Sequence, residues 1–220
     1  VTRPVLFDLD GTLVDTPNAI VENFTATLAA LGVPAVFPEE IRATIGLPLE
    51  KAFAQLIGAS ADAATVEAAV PCYQRLYREQ IVPKAKSLLY PGVADGLAEL
   101  RAAGLVLAIA TSKHTASAEV LLTSAGIRDH FAMVVGADAV TEPKPAPETG
   151  LLIAAELGHP AARAVMVGDT THDISMAHNA GMRSVAVTYG IHSAAQLAAV
   201  KPTWTVADFP AAVAQILRAG

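Results

Sequence analysis

Asp8-Leu9-Asp10-Gly11-Thr12-Leu13-Val14-Asp15-Thr16 follows directly on the apolar run Pro4-Val5-Leu6-Phe7. The run reads as a short buried strand, and Asp-Gly marks its end. Side chains alternate along a strand, so Asp8 and Asp10 leave it on one side while Leu9 points the other way. Two carboxylates then share one small space. At about 4 Å and an effective dielectric of about 20 they repel by roughly 4 kcal/mol, a cost that a proton or a cation must relieve. The stretch asks for a metal ion; the competing reading is that two common turn residues merely close a strand.

Outward from this stretch, the chain changes character twice. Residues 17–82 read as helical, with segments over 17–31, 39–45, 49–57 and 62–82 and with Gly32 and Gly58 as stops. Pro17 and Pro48 suit first helical turns, whereas Pro71 predicts a kink or a split in the last segment. From residue 88 onward, strand-like runs over 106–111, 133–136, 164–168 and 184–187 alternate with helical stretches over 93–103, 115–125, 147–157, 174–180, 194–200 and 210–219. Apolar strands alternating with helices indicate a parallel sheet covered on both faces. The expected fold is α/β: a Rossmann-like, doubly wound parallel core from residues 1–15 and 88–220, with a helical cap inserted over 16–87. The crossings near Asp15-Thr16-Pro17 and Pro83-Lys84-Ala85-Lys86-Ser87 are the expected hinges.

In such sheets ligands bind beyond the carboxyl ends of the strands. Two more strand ends and one proline-flanked lysine carry suitable chemistry. Thr111-Ser112-Lys113 offers a hydroxyl, the N–H groups of a helix start and an ammonium, enough to hold a phosphate oxygen; a simple helix cap is the alternative. Lys144 lies between prolines in Glu142-Pro143-Lys144-Pro145, a stiff setting that positions a point charge, although the same lysine suits a solvated turn. Gly168-Asp169-Thr170-Thr171-His172-Asp173 ends another strand, and a helix starting near Thr170 brings Asp169 and Asp173 toward one place; Asp173 also suits the helix dipole by itself. A cluster of oxygen ligands without a Cys or His cluster favours Mg²⁺.

Composition sets outer bounds. Of 220 residues 53% are hydrophobic, enough for a sizeable core, and no apolar run approaches the roughly 20 residues of a membrane span. The single cysteine, Cys72, excludes an internal disulfide and is expected to pack against a helix. A net charge of −6 with scattered Lys and Arg argues against nucleic acid. The sequence enters its first strand without room for a signal segment, so cytoplasmic residence is expected. The expected partner is a small phosphorylated metabolite rather than a membrane or a nucleic acid, and the protein itself is expected as a monomer or homodimer.

The motifs Asp8-x-Asp10-Gly11-Thr12, Thr111-Ser112, Lys144 before Pro145, and Gly168-Asp169-x-x-x-Asp173 together resemble the haloacid dehalogenase superfamily of capped phosphatases. The resemblance covers nearly the whole chain. It implies that Asp8 attacks phosphorus and becomes an aspartyl phosphate, while Asp10 acts as general acid and then base. It further implies Mg²⁺ held by the Asp8 carboxylate, the Asp10 main-chain carbonyl and Asp169, with Asp173 in support, and phosphoryl oxygens held by Thr111, Ser112 and Lys144. Ile45-Gly46-Leu47-Pro48-Leu49 is similar to the substrate-facing cap segment of the phosphoglycolate phosphatase-like branch; Gly150 departs from the aromatic that relatives often carry there. The implied activity is hydrolysis of a small phosphomonoester. A β-phosphoglucomutase-like mutase and a pyrophosphatase of the same family are the alternatives, and a signalling receiver domain is the reading from another class. Asp10 argues against a dehalogenase and against the phosphonate-cleaving relatives, for which Lys51 is the one lysine of the helical stretch over 17–82. Arg42, Gly46 and Leu47 are the expected specificity positions in the cap, with Lys51, Arg75 and Arg78 also available; Arg42 is favoured because a guanidinium grips a carboxylate or second phosphate with two bonds. His114, His172 and His192 lie near loop ends without an assigned role.

Overall fold

In the computed structural model, which describes residues 3–58 and 63–219, six parallel strands form one sheet. They are β1 (Pro4–Phe7), β2 (Val106–Ala110), β3 (Phe131–Val135), β4 (Val165–Gly168), β5 (Arg183–Val187) and β6 (Trp204–Val206), in the spatial order β3-β2-β1-β4-β5-β6. The order reverses direction between β1 and β4, so the crevice of a doubly wound sheet opens beyond their carboxyl ends. Asp8 leaves β1 there, Thr111 follows β2, and Asp169 follows β4.

Residue parity divides the core into two layers. Val5, Phe7, Leu107, Ile109, Val165, Val167, Val185 and Val187 face one layer, with α5 (Val93–Ala102), α6 (Thr115–Ala125) and α10 (Phe209–Arg218). Leu6, Ala108, Ala110 and Met166 face the other, against Ile153 and Ala154 of α7 (Glu148–Glu156) and Met176 and Ala177 of α8 (Thr171–Asn179). Strands buried on both faces read as continuous apolar runs, which is why they stand out in the sequence. A short helix, α9 (Ala194–Ala199), precedes β6.

Between β1 and α5 lie α1 (Pro17–Ala30), α2 (Pro38–Arg42), α3 (Leu49–Ile57) and α4 (Ala63–Gln80), then a 3-10 turn over Val82–Leu88. Their packing centres on Phe24, Phe53 and Tyr73, with ring centroids 4.7 Å apart for Phe24–Phe53 and Phe24–Tyr73. Where the chain leaves and re-enters the sheet, Val14 pairs antiparallel with Leu89, and Asp15 N–H donates to the Leu88 carbonyl at 2.7 Å.

Several expectations need correcting. Pro71 does not split α4: its ring sits at an exposed position while Ala69, Tyr73 and Tyr77 are buried, so packing holds the helix together across the missing N–H. The helix expected over 39–45 ends at Arg42, because the chain turns through Thr44 and Gly46. The expected start at Asp62 lies outside the described residues. Strand β6 went unread: with three residues, none fully buried, it has too little apolar content to show.

Candidate active site

Lys144 organises the acidic cluster. Its ammonium donates to Asp8 Oδ1 at 2.9 Å, the Ala110 carbonyl at 2.9 Å and Asp173 Oδ1 at 2.6 Å, so all three donors are used and the side chain is buried. Asp173 Oδ2 in turn accepts from Thr170 N–H at 3.0 Å and Thr170 Oγ1 at 2.7 Å. Asp173 thereby closes a capping box at the start of α8 while fixing Lys144. Gly168 leaves room for this arrangement, since a Cβ there would lie 2.4 Å from the Asp173 side chain.

Asp169 is fully buried. Its Oδ1 accepts from Thr12 Oγ1 at 2.7 Å and its Oδ2 from Ile191 N–H at 2.7 Å. The loop after β1 reaches it because Gly11 takes φ +85, and a Cβ on Gly11 would come within 2.3 Å of Asp169 Oδ2. Asp8, Asp169 and Asp173 offer oxygens that all lie within 4.8 Å of one another.

The charges do not balance within this group. One ammonium faces three buried carboxylates, an excess that protons or a bound cation relieve. Burial pushes the Asp8 carboxyl up to about 7, with Asp173 and Asp10 adding to the rise and Lys144 opposing it. Burial, then Asp8 and Asp173, raises Asp169 well above the ordinary carboxylate range. Burial alone would lower the Lys144 pKa, but Asp173 and Asp8 outweigh it and hold the ammonium charged. Hard oxygen donors carrying excess negative charge fit a divalent cation of the Mg²⁺ class.

Asp10 stands apart from the cluster, on the wall of the cavity that Asp8 also lines. Its Oδ1 accepts from Thr16 Oγ1 at 2.7 Å and from the Tyr77 hydroxyl at 3.3 Å, and Lys113 Nζ lies 3.0 Å from its Oδ2. Lys113 also sits 4.1 Å above the Tyr77 ring. Thr111, Ser112, Lys113 and His114 line the same cavity, and Ser112 Oγ is buried there without a partner among the described residues. The helical segment supplies the facing wall through Ile20, Phe24, Ile45, Leu47, Leu49 and Tyr73.

Of the expected specificity residues, Gly46 and Leu47 reach the cavity. A Cβ at Gly46 would sit 3.3 Å from His172 Nδ1, so this glycine is where the helical segment approaches the loop after β4. Arg42 does not reach it: it lies outside the lining, and its Nη2 donates to Asn18 Oδ1 on α1. Lys51, Arg75 and Arg78 are likewise absent from the lining; Arg75 pairs with Glu79, and Arg78 Nε donates to the Gln74 carbonyl. Sequence reasoning missed Tyr77, whose signal is the Tyr73/Tyr77 pair one helical turn apart, and gave Thr12 no task. His192 Nδ1 accepts from Thr171 N–H at 2.9 Å, a structural role, whereas His172 Nδ1 is buried unpaired.

Residues 5–187 match the family model of haloacid dehalogenase-like hydrolases. The chain belongs to that family. Among its relatives, a protein of Dickeya dadantii named probable phosphatase IndB is 52% identical over 205 residues, covering 93% of this chain and 89% of that protein. The phosphoglycolate phosphatase of Chromobacterium violaceum is 35% identical over 201 residues, covering 90% of each. A solved structure from Bacteroides fragilis, described as a putative haloacid dehalogenase-like hydrolase, superposes with TM-score 0.86 at 26% identity over 96% of this chain and 100% of that one. The family match thus spans β1 through β5 and the helical segment that faces the crevice.

Proposed function

We propose that this chain hydrolyses a small phosphomonoester in two steps through Asp8, with Mg²⁺ as cofactor and with residues 16–87 as a cap over a core of 1–15 and 88–220. The observation that carries the reading is the juxtaposition of Asp8, gripped by a buried lysine, with Asp10 on the wall of one cavity. The names of the relatives from Dickeya dadantii and Chromobacterium violaceum agree with a phosphatase.

Asp8 Oδ attacks phosphorus as the bond to the leaving oxygen breaks, and Asp10 gives that oxygen its proton. Water then attacks the phosphorus of the aspartyl phosphate, Asp10 takes the water proton, and Asp8 is released as a carboxylate with inorganic phosphate. Ser112 Oγ, buried in the cavity that Asp8 lines and without a partner among the described residues, has hydrogen-bonding capacity to spare for a phosphoryl oxygen, as does the Thr111 hydroxyl proton. Lys144 holds Asp8 in one orientation and offsets its charge, and Asp173 positions Lys144. Asp8, Asp169 and the Asp10 carbonyl would hold the metal, with Asp173 in support from the same cluster while it fixes Lys144. When bound, Mg²⁺ supplies positive charge against which the phosphoryl oxygens and the Asp8 carboxylate approach each other.

Steady phosphate release beyond one equivalent of enzyme, dependent on Mg²⁺, tests the reading; release that stops at one equivalent or ignores chelation contradicts it. Transfer of the group to a sugar hydroxyl without free phosphate assigns a mutase instead. Asp10→Asn keeps the bonds to Thr16 and Tyr77 but cannot shuttle a proton, so kcat is expected to fall by about 10²–10⁴-fold. The loss should be smaller for an aryl phosphate, whose leaving group needs no acid.

Metal also couples to stability. The folded-state pKa of Asp8 is raised to about 7, so the metal-free fold gains from protonation at low pH and loses that gain as pH rises toward 7. Mg²⁺ replaces the missing protons. At about a hundred times its Kd it adds about 2.7 kcal/mol, or roughly 5–10 °C in Tm for a domain of this size. The shift is expected at pH 8 and should shrink at pH 5; calorimetry with Mg²⁺ and with a chelator checks both.

A further inference from the structure

We infer that the leaving group of the substrate is uncharged and presents an apolar face, so that a carboxylate-bearing ester such as 2-phosphoglycolate is poorly used. This rests on the hydrolase reading above and narrows its substrate class. Beyond the phosphoryl site, the cavity runs against Ile20, Phe24, Leu47, Leu49, Ala52 and Tyr73. Among the described residues no arginine lines it. Its one lining lysine, Lys113, is already engaged by Asp10 at 3.0 Å and by the Tyr77 ring.

The remaining polar groups do not supply a free cation. His114 Nε2 lies 2.8 Å from Glu50 Oε1 and its Nδ1 3.2 Å from Gln74 Nε2, bonds met together by a ring that carries its proton on Nε2. His114, which lines the cavity, thus faces the Glu50 carboxylate rather than standing free. A carboxylate or second phosphate seated against this wall would lose its hydration and meet no countercharge. A neutral group that fills the aliphatic and aromatic surface gains from its burial.

The test compares kcat/KM for 2-phosphoglycolate, its neutral carboxamide analogue and benzyl phosphate by phosphate release with Mg²⁺. The first two share a skeleton and differ in charge; the third adds apolar surface. The carboxamide is expected to exceed phosphoglycolate at least about tenfold, and benzyl phosphate to exceed the carboxamide by a similar factor, the scale on which apolar pockets discriminate. Leu49→Arg, which places a guanidinium on the cavity wall, is expected to shift preference back toward phosphoglycolate. Phosphoglycolate used as well as its carboxamide overturns the inference while the hydrolase reading stands. Benzyl phosphate no better than the carboxamide removes the apolar face. Release from none of the three overturns the hydrolase reading and this inference with it.

Discussion

Asp8→Asn is expected to abolish turnover, by roughly 10⁴–10⁶-fold in kcat, the scale on which covalent enzymes lose activity with their nucleophile. An amide oxygen does not attack phosphorus, and no neighbour is placed to substitute. Asp10 is held by Thr16, Tyr77 and Lys113, and Asp169 by Thr12 and the Ile191 N–H. The fold should survive. Asparagine keeps the size of the side chain and can still accept from Lys144, and the substitution removes one of the crowded buried negative charges. An unchanged circular dichroism spectrum with activity lost is the expected pair of results; activity within tenfold of wild type would exclude Asp8 as the attacking group.

Lys144→Met acts in the opposite direction, on stability first. It leaves Asp8 and Asp173 buried without their common cation, and removing one partner from a buried ion pair costs about 3–5 kcal/mol. That is a large share of the roughly 5–15 kcal/mol that holds a domain of this kind together. The cost should depend on pH. Without the ammonium, which opposes the rise, the folded-state pKa of Asp8 goes up further, so the fold binds more protons than the unfolded chain up to a higher pH. The penalty is therefore largest above the raised pKa of the variant and shrinks as pH falls toward about 7, the folded pKa of Asp8 in the intact protein, below which Asp8 is protonated in both. Urea unfolding in chelator at pH 8 and pH 5 measures it; equal midpoints for variant and wild type at pH 8 would mean that Lys144 does not carry the balance described.

Much of this site was legible because strand ends are conspicuous. In a parallel sheet covered on both faces, each strand is an apolar run, so the first polar residues after it stand out; Asp8, Thr111 and Asp169 all lie at such a boundary. Lys144 was legible for another reason, the flanking prolines. What did not show was whatever depends on two distant segments meeting. Tyr77 donates to Asp10 across 67 positions of sequence, and Thr12 to Asp169 across 157. Thr12 carries no local mark of its task, and Tyr77 carries only the tyrosine one helical turn before it.

Arg42 shows the converse error. Its chemistry suits an anion, but its place on a short helix that ends at Arg42 directs the guanidinium to Asn18 rather than into the cavity. Residue type stated what the side chain could bind, whereas backbone direction decided what it reaches. The cavity wall that results is apolar, and apolar residues in a helical segment are indistinguishable in sequence from ordinary packing. The short strand β6 escaped for a similar reason, being too short and too exposed to leave a periodic signal.

The two-step reaction requires a phosphoryl group to pass onto the Asp8 side chain. Wild-type protein mixed with substrate and Mg²⁺, quenched within a turnover and reduced with borohydride, should yield homoserine at position 8 by peptide mass spectrometry, because only an acyl phosphate is reduced under those conditions. Full recovery of unmodified Asp8 while phosphate is being released, or reduction at another carboxylate, would contradict the account.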